Sequence, residues 1–241
     1  MRLGIGLAVA LTLLAGPALA QQMSIDLGGA AGESLSLRSV QRLLLVTVLS
    51  IVPGLAVMVT CFPFIVTVLS ILRQALGLQQ APPNMLIISL SLFLTWFVMD
   101  PVFTEAWVKG IEPMTNGTLE VGPGLQAAIA PFRVFMAGRI DPETLQTLQG
   151  LRSTAAVTPA DAPLSLMVPS FLLSEIQRAF EIGFMIYLPF LIIDLVVAAI
   201  LMSMGMMMVP PAVVSLPFKL IFFVVADGWA LVSGALVRSY F

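Results

Sequence analysis

Apolar residues run almost unbroken through two parts of this chain and thin out between them, so the sequence divides into a first apolar block, a polar middle and a second apolar block. Residues 43–72 contain no charged residue. A straight helix of that length would be roughly 45 Å long against a hydrocarbon core of about 30 Å, so the segment has to bend or break. Pro53-Gly54 and Pro63 mark the places, because each proline removes a helix hydrogen bond and crowds the preceding turn. After Arg73, Ala81-Pro82-Pro83-Asn84 predicts a turn in which Asn84 caps the next helix, running from 85 to about 99 and ended by Asp100-Pro101. Residues 36–99 therefore read as a helical hairpin.

From 100 to 163 the chain is markedly less apolar, with Glu105, Glu112, Glu120, Asp141, Glu143 and Asp161 set against Lys109, Arg133, Arg139 and Arg152. This is the water-exposed part. Leu125, Ile129, Phe132 and Met136 recur there at helical spacing, and Asp141-Pro142-Glu143 opens a short helix that Gly150 closes, with Leu145 and Leu148 on one face. Residues 164–241 form a second hairpin region in three pieces: 168–181, 182–204 broken by Pro189 and Asp194, and 211–237 broken by Pro217, Lys219 and Asp227. An ionised group at the centre of a membrane helix costs about 2.5–3.5 kcal/mol on insertion scales, so these helices require protein neighbours. Between the last two pieces, Met204-Gly205-Met206-Met207-Met208-Val209-Pro210-Pro211 predicts a turn lined with soft, unbranched side chains.

Composition places the whole in the membrane class. Of 241 residues, 59% are hydrophobic and 10% charged, and the mean hydropathy is +1.04. A net charge of -2 with two lysines, Lys109 and Lys219, gives no patch for a phosphate backbone, so nucleic acid is not an expected partner. With no histidine and a single cysteine, Cys61, neither a zinc site nor an intrachain disulfide is expected, and Cys61 reads as a buried structural thiol. Arg2, the apolar run 3–14 and Ala18-Leu19-Ala20 read as a signal peptide over 1–20, which would leave the mature N-terminus across the membrane. A Gly/Ser-rich mobile leader, 21–35, follows. In that orientation Arg38 and Arg42 lie on the outer side and the turn around Met206 carries no Lys or Arg, a poor distribution for an ordinary four-span protein.

Chemistry-bearing residues are few. Glu175, Arg178 and Glu181 lie three residues apart on one helix face, either as a local charge cluster or as carboxylates flanking a guanidinium. Lys219, in Leu216-Pro217-Phe218-Lys219-Leu220-Ile221, has no carboxylate nearby in sequence and needs a distant partner if buried, for which Glu175 is a candidate. Asp194 and Asp227 are either intramembrane proton or ion sites or buried carboxylates satisfied by neighbouring helices. Hydrolytic and phosphate-binding motifs are missing, so an enzyme is not expected, and no cofactor or metal is called for. A self-contained ion-coupled transporter using Asp194, Lys219 and Asp227 remains as the alternative to a larger assembly.

A family resemblance narrows this. Leu72-Arg73-Gln74-Ala75-Leu76-Gly77, Gln80-Ala81-Pro82-Pro83-Asn84, Leu92-Phe93-Leu94-Thr95, Pro189-Phe190-Leu191-Ile192-Ile193-Asp194-Leu195, Gly205-Met206-Met207-Met208-Val209-Pro210-Pro211 and Leu216-Pro217-Phe218-Lys219-Leu220 together resemble the FliP family of the bacterial flagellar export apparatus, related to a component of virulence type III secretion. The resemblance covers nearly the whole mature chain. It implies an all-α fold of kinked helical hairpins with an amphipathic helical middle, several copies of which join FliQ-like and FliR-like proteins in a helical, membrane-associated oligomer. Expected beside it are FlhB-like and FlhA-like export components, unfolded flagellar substrates and lipid, in the inner membrane at the flagellar basal body, with the mature N-terminus periplasmic. Met206, Met207 and Met208 then match a methionine loop around a closed pore, and Glu175 and Lys219 an ion pair between adjacent subunits. Arg178, Glu181, Asp194 and Asp227 are the other charges expected to be buried. At Thr60-Cys61-Phe62-Pro63-Phe64-Ile65 the family usually has a basic residue where Phe64 stands, so any ion pair made there in relatives is missing.

Overall fold

A computed structural model describes residues 42–44, 46–47, 50, 54, 57–78, 81–152, 157–206 and 208–241. The expected signal peptide and leader lie outside the described residues, as do Pro53 and Met207. Residues up to 48 form a separate unit, whose described positions are helical; everything below concerns the unit from 49 onward. Among the described residues the fold is all-α and contains no strand.

The core is built around α1 (Phe62–Ala75), a short helix with Pro63 in its first turn, where its missing N–H leaves no helix bond unmade. Phe64, Ile65, Val68, Leu69, Leu72 and Ala75 of this helix are fully buried. These six positions form one continuous buried face of α1, with Val66, Thr67, Ser70 and Ile71 beside it partly buried. α2 (Asn84–Ala106) follows a tight turn, continues through a π-helical stretch (Trp107–Ile111) and ends in α3 (Glu112–Thr115). α4 (Val121–Ala137) and α5 (Pro142–Arg152) form the less apolar middle. α6 (Leu164–Ser203) packs along α1, α7 (Pro211–Val225) returns against α6, and α8 (Gly228–Arg238) closes the chain.

Four expected boundaries move. Asn84 does not cap α2; Pro83 holds the cap position, and the Asn84 amide oxygen accepts from Arg73 instead. Asp100-Pro101 does not end α2, which carries Pro101 inside it, and Pro189 does not break the 40-residue α6, which also contains Pro169. An internal proline deletes one backbone bond, and a helix packed among neighbours retains the rest. Gly150, expected to close α5, lies within it. By length and composition, residues 84–115 and α6 could each cross a membrane; α7 and α8, bent by 62° at Ala226-Asp227, could together form a third span. At 1.5 Å per residue α6 is about 60 Å long, twice a hydrocarbon core, so part of its apolar surface faces something other than lipid.

The middle segment packs through small residues. The amphipathic stripe predicted α4, but its buried positions are Gly124, Ala128, Pro131 and Met136, while Leu125 faces outward. A Cβ on Gly110 would lie 2.4 Å from the Ala128 backbone nitrogen, so the π-helical stretch and α4 touch backbone to backbone. At the α7–α8 bend Asp227 takes a left-handed φ of 47°, and a Cβ on Gly228 would meet the Phe223 ring at 2.1 Å.

Candidate functional site

Two buried polar clusters and one exposed turn stand out against the apolar packing. The first centres on Glu175, whose side chain is fully enclosed in the first third of α6. A bare carboxylate there would be untenable, and three donors answer it. Arg139, from the α4–α5 link, donates Nε to Oε1 at 2.9 Å; Arg178 donates Nη1 to the same oxygen at 3.2 Å; the Tyr240 hydroxyl donates to Oε2. Burial, and then the Glu175 charge, push the Tyr240 hydroxyl well above the usual phenol range, so it remains a donor. Arg139 also donates to the Ser239 carbonyl at 2.9 Å and lies 4.1 Å over the Tyr240 ring and 5.9 Å from the Phe64 ring. Thus Phe64, where the resemblance implies a base, becomes part of the platform under a base supplied from elsewhere.

The same region holds Cys61, which is buried; burial pushes its thiol up to about 12, in keeping with an inert structural role. Beside Glu175, Ser174 accepts the backbone N–H of Asp141 at 2.9 Å, and so fixes the start of α5. The Asp141 carboxylate then accepts the Thr144 backbone N–H at 2.8 Å and its hydroxyl at 2.9 Å. Those two bonds hold the Asp141 carboxyl below the usual carboxylate range.

The second cluster joins α1, α6 and α7. Buried Lys219 donates to Asp194 Oδ2 at 2.6 Å and to the Ala75 carbonyl, the end of α1, at 3.1 Å. Ser215, one turn before Lys219, donates to Asp194 Oδ1 at 2.6 Å. The ammonium therefore meets both a carboxylate and the negative end of a helix dipole.

These contacts alter the expected pairings. Within the chain Lys219 pairs with Asp194 and not with Glu175, whose bases are Arg139 and Arg178. Glu181 accepts from Gln177 at 3.2 Å while Arg178 turns to Glu175. Of the other charges expected to be buried, Arg178 and Asp194 are half-buried, and Glu181 and Asp227 lie at the surface of the single chain. Glu181 projects from the outer face of α6 and Asp227 from a bend, where the chain supplies no covering helix. Arg139 and Tyr240 were missed because their partner is 36 and 65 residues away. Ser215 could have been found from its i, i+4 spacing to Lys219.

The exposed turn connects α6 to α7. Gly205, at φ 72°, ends α6 in a Schellman arrangement: its N–H donates to the Met202 carbonyl at 3.1 Å and that of Met206 to Leu201 at 2.9 Å. Pro211 then starts α7. Met206 is 41% and Met208 97% exposed, so both side chains face outward between α6 and α7.

Long apolar helices with internal prolines, buried charges tied between helices, and a helix–helix turn displaying methionines define an all-α protein with helices suited to a membrane. Residues 45–236 match the FliP family. The chain is 48% identical over 235 residues to the flagellar biosynthetic protein FliP of Caulobacter vibrioides, covering 97% of this chain and 88% of that protein. It is 43% identical to that of Agrobacterium fabrum, over 95% of this chain and 96% of the relative, and 43% to that of Bacillus subtilis, over 84% and 92%. This chain belongs to the FliP family.

Proposed function

We propose that several copies of this chain line the central channel of the flagellar protein export gate, with Met206, Met207 and Met208 of each copy forming a compliant seal. Family membership makes the chain a component of flagellar biosynthesis and export. The channel reading is carried by one observation: Met206 and Met208 are exposed between the Gly205 cap that ends α6 and Pro211, which starts α7. Thioether side chains can close against ions and part around varied polypeptide side chains, with no charge to hold a passing substrate. In this reading unfolded flagellar subunits pass one chain at a time, and the turn faces the pore.

The gate includes FliQ-like and FliR-like proteins, works with FlhB-like and FlhA-like components, and sits in the inner membrane at the flagellar basal body with the mature N-terminus periplasmic. Outward apolar side chains such as Phe93, Trp96, Phe97, Phe184 and Met185 supply surface for lipid and neighbouring subunits. A Glu175–Lys219 pair between adjacent copies belongs to this reading and requires partner exchange, since each group is satisfied within its own chain. The transporter alternative is weaker: Lys219 and Asp194 are locked together, and Asp227 lies exposed in the bend beyond the end of α7.

The test shortens Met206, Met207 and Met208 together to Ala and measures ion leak during secretion. Raised leak with export retained supports the seal; unchanged leak with normal export ends it.

A further inference from the structure

The seal proposed above uses the methionines only as soft apolar side chains, yet each thioether sulfur also carries lone pairs that a metal ion can accept. Two tight turns in succession gather these sulfurs. The Met206 N–H donates back to the Leu201 carbonyl at 2.9 Å and the Gly205 N–H to the Met202 carbonyl at 3.1 Å. The Val209 N–H then donates to the Met206 carbonyl at 3.3 Å. Met204 therefore stands in the first turn, Met206 where the two turns join and Met208 in the second, and all three are exposed. Nearby side chains supply no competing ligand. No charged residue occurs between Asp194 and Lys219, which are paired with each other. Ser203, the single polar side chain in 201–211, gives its hydroxyl proton to the Ile200 carbonyl at 2.7 Å.

We propose that Met204, Met206 and Met208 hold a soft monovalent metal ion, Cu(I) or its analogue Ag(I). Ligand softness sets the class of ion: thioethers select Cu(I), whereas Mg(II) and Ca(II) take oxygen ligands. Charge sets the valence, because three neutral sulfurs offset none of the charge of a divalent ion leaving water. Unbranched side chains with three rotatable bonds can turn their sulfurs to a common centre without moving the backbone. Elsewhere the exposed methionines Met58, Met85 and Met185 are solitary in the sequence, and the one cysteine, Cys61, is buried. Copies of the chain set side by side at this turn would add thioethers to the centre, so the site does not depend on the turn being bare. A single chain suffices for it, and it stands or falls apart from the seal, which the leak measurement tests.

The test uses the full chain in detergent and chloride-free buffer, with Cys61→Ala so that thioethers are the only sulfur ligands. Silver nitrate is titrated in, followed by calorimetry and by the resonances of isotope-labelled methionine methyl groups. The expected result is saturation at one ion per chain, with the Met204, Met206 and Met208 methyl signals shifting together and those of Met85 and Met185 unmoved. Met204→Leu, Met206→Leu and Met208→Leu combined keep apolar bulk at exposed positions but remove the sulfurs, and should abolish saturable binding. Met85→Leu with Met185→Leu should leave it intact, and zinc in place of silver should give none. Saturable binding that survives the triple substitution overturns the proposal. So does its loss in the Met85 and Met185 variant, an equal response to zinc, or the absence of saturable silver binding before any methionine is changed.

Discussion

Lys219 of α7 meets Asp194 of α6 at 2.6 Å, and the same ammonium donates to Ala75 at the end of α1. One charged group thus pins three helices at the base of the hairpin that carries the methionine turn. Lys219→Met should destabilise the chain in a detergent thermal melt, by less than the about 3–5 kcal/mol of a fully buried pair, because Asp194 keeps 29% of its side chain exposed. Adding Asp194→Asn should recover most of the loss, whereas adding Glu175→Gln should not. The reverse pattern, read on the assembled complex, would make the cross-subunit pair the dominant one.

Arg139 is predicted to be irreplaceable by lysine. Its guanidinium reaches Glu175 and the Ser239 carbonyl while stacking on Tyr240, and an ammonium cannot do all three. Arg139→Lys should lower the melting temperature, Arg139→Met should lower it further, and Arg139→Met with Glu175→Gln should rise above Arg139→Met alone. An unchanged melt for Arg139→Met would show that Arg178 and Tyr240 suffice to hold the carboxylate.

How far these clusters could be read from the sequence depends on range. Local signals succeeded: Asp141-Pro142-Glu143 opens α5, Pro63 starts α1, and Gly205 ends α6. Proline misled at 101 and 189, because the loss of one backbone bond was read without the packing that compensates it. The apolar stripe found α4 and placed Met136 inside, but it misplaced Leu125, since the Met114 side chain packs over Gly124 and the backbone of Gly110 approaches Ala128. Lys219 was recognised as needing a remote partner, but choosing Asp194 over Glu175 needs the hairpin register, which no local pattern encodes.

The Gly110 contact gives a steric prediction. The Cβ of Gly110→Ala would fall 2.4 Å from a backbone atom of α4, which cannot rotate away. We expect a loss of about 1–3 kcal/mol, the range for overpacking, measured by thermal unfolding. Gly122→Ala, inside α4 with nothing within 4 Å of its added Cβ, is the control and should melt no lower than the parent.

Asp141 gives a pH prediction. Its folded carboxyl lies below the ordinary value because it accepts from Thr144 N–H and Oγ1, so the stabilisation is present above the unfolded value and fades as pH falls through the folded one. Melts of the parent chain should therefore lose stability toward strong acid more steeply than those of Asp141→Asn, with the two curves converging at the acid end. Parallel curves across that range would remove Asp141 from the acid response.

Gly205 separates the position of the methionines from their presence. Nothing lies within 4 Å of a Cβ added there, so Gly205→Ala meets no clash, but its φ of 72° is one that an L side chain disfavours by roughly 1–2 kcal/mol. That strain falls on the cap holding Met206, because the Gly205 and Met206 N–H groups satisfy the last carbonyls of α6. Gly205→Ala should therefore raise ion leak during secretion with all three methionines in place, while the melting temperature of the helical core changes little. Gly205→Asn, which tolerates the left-handed region, should leak less than Gly205→Ala. If both variants leak no more than the parent, the cap does not position the seal, and the methionines close the channel wherever the turn happens to sit.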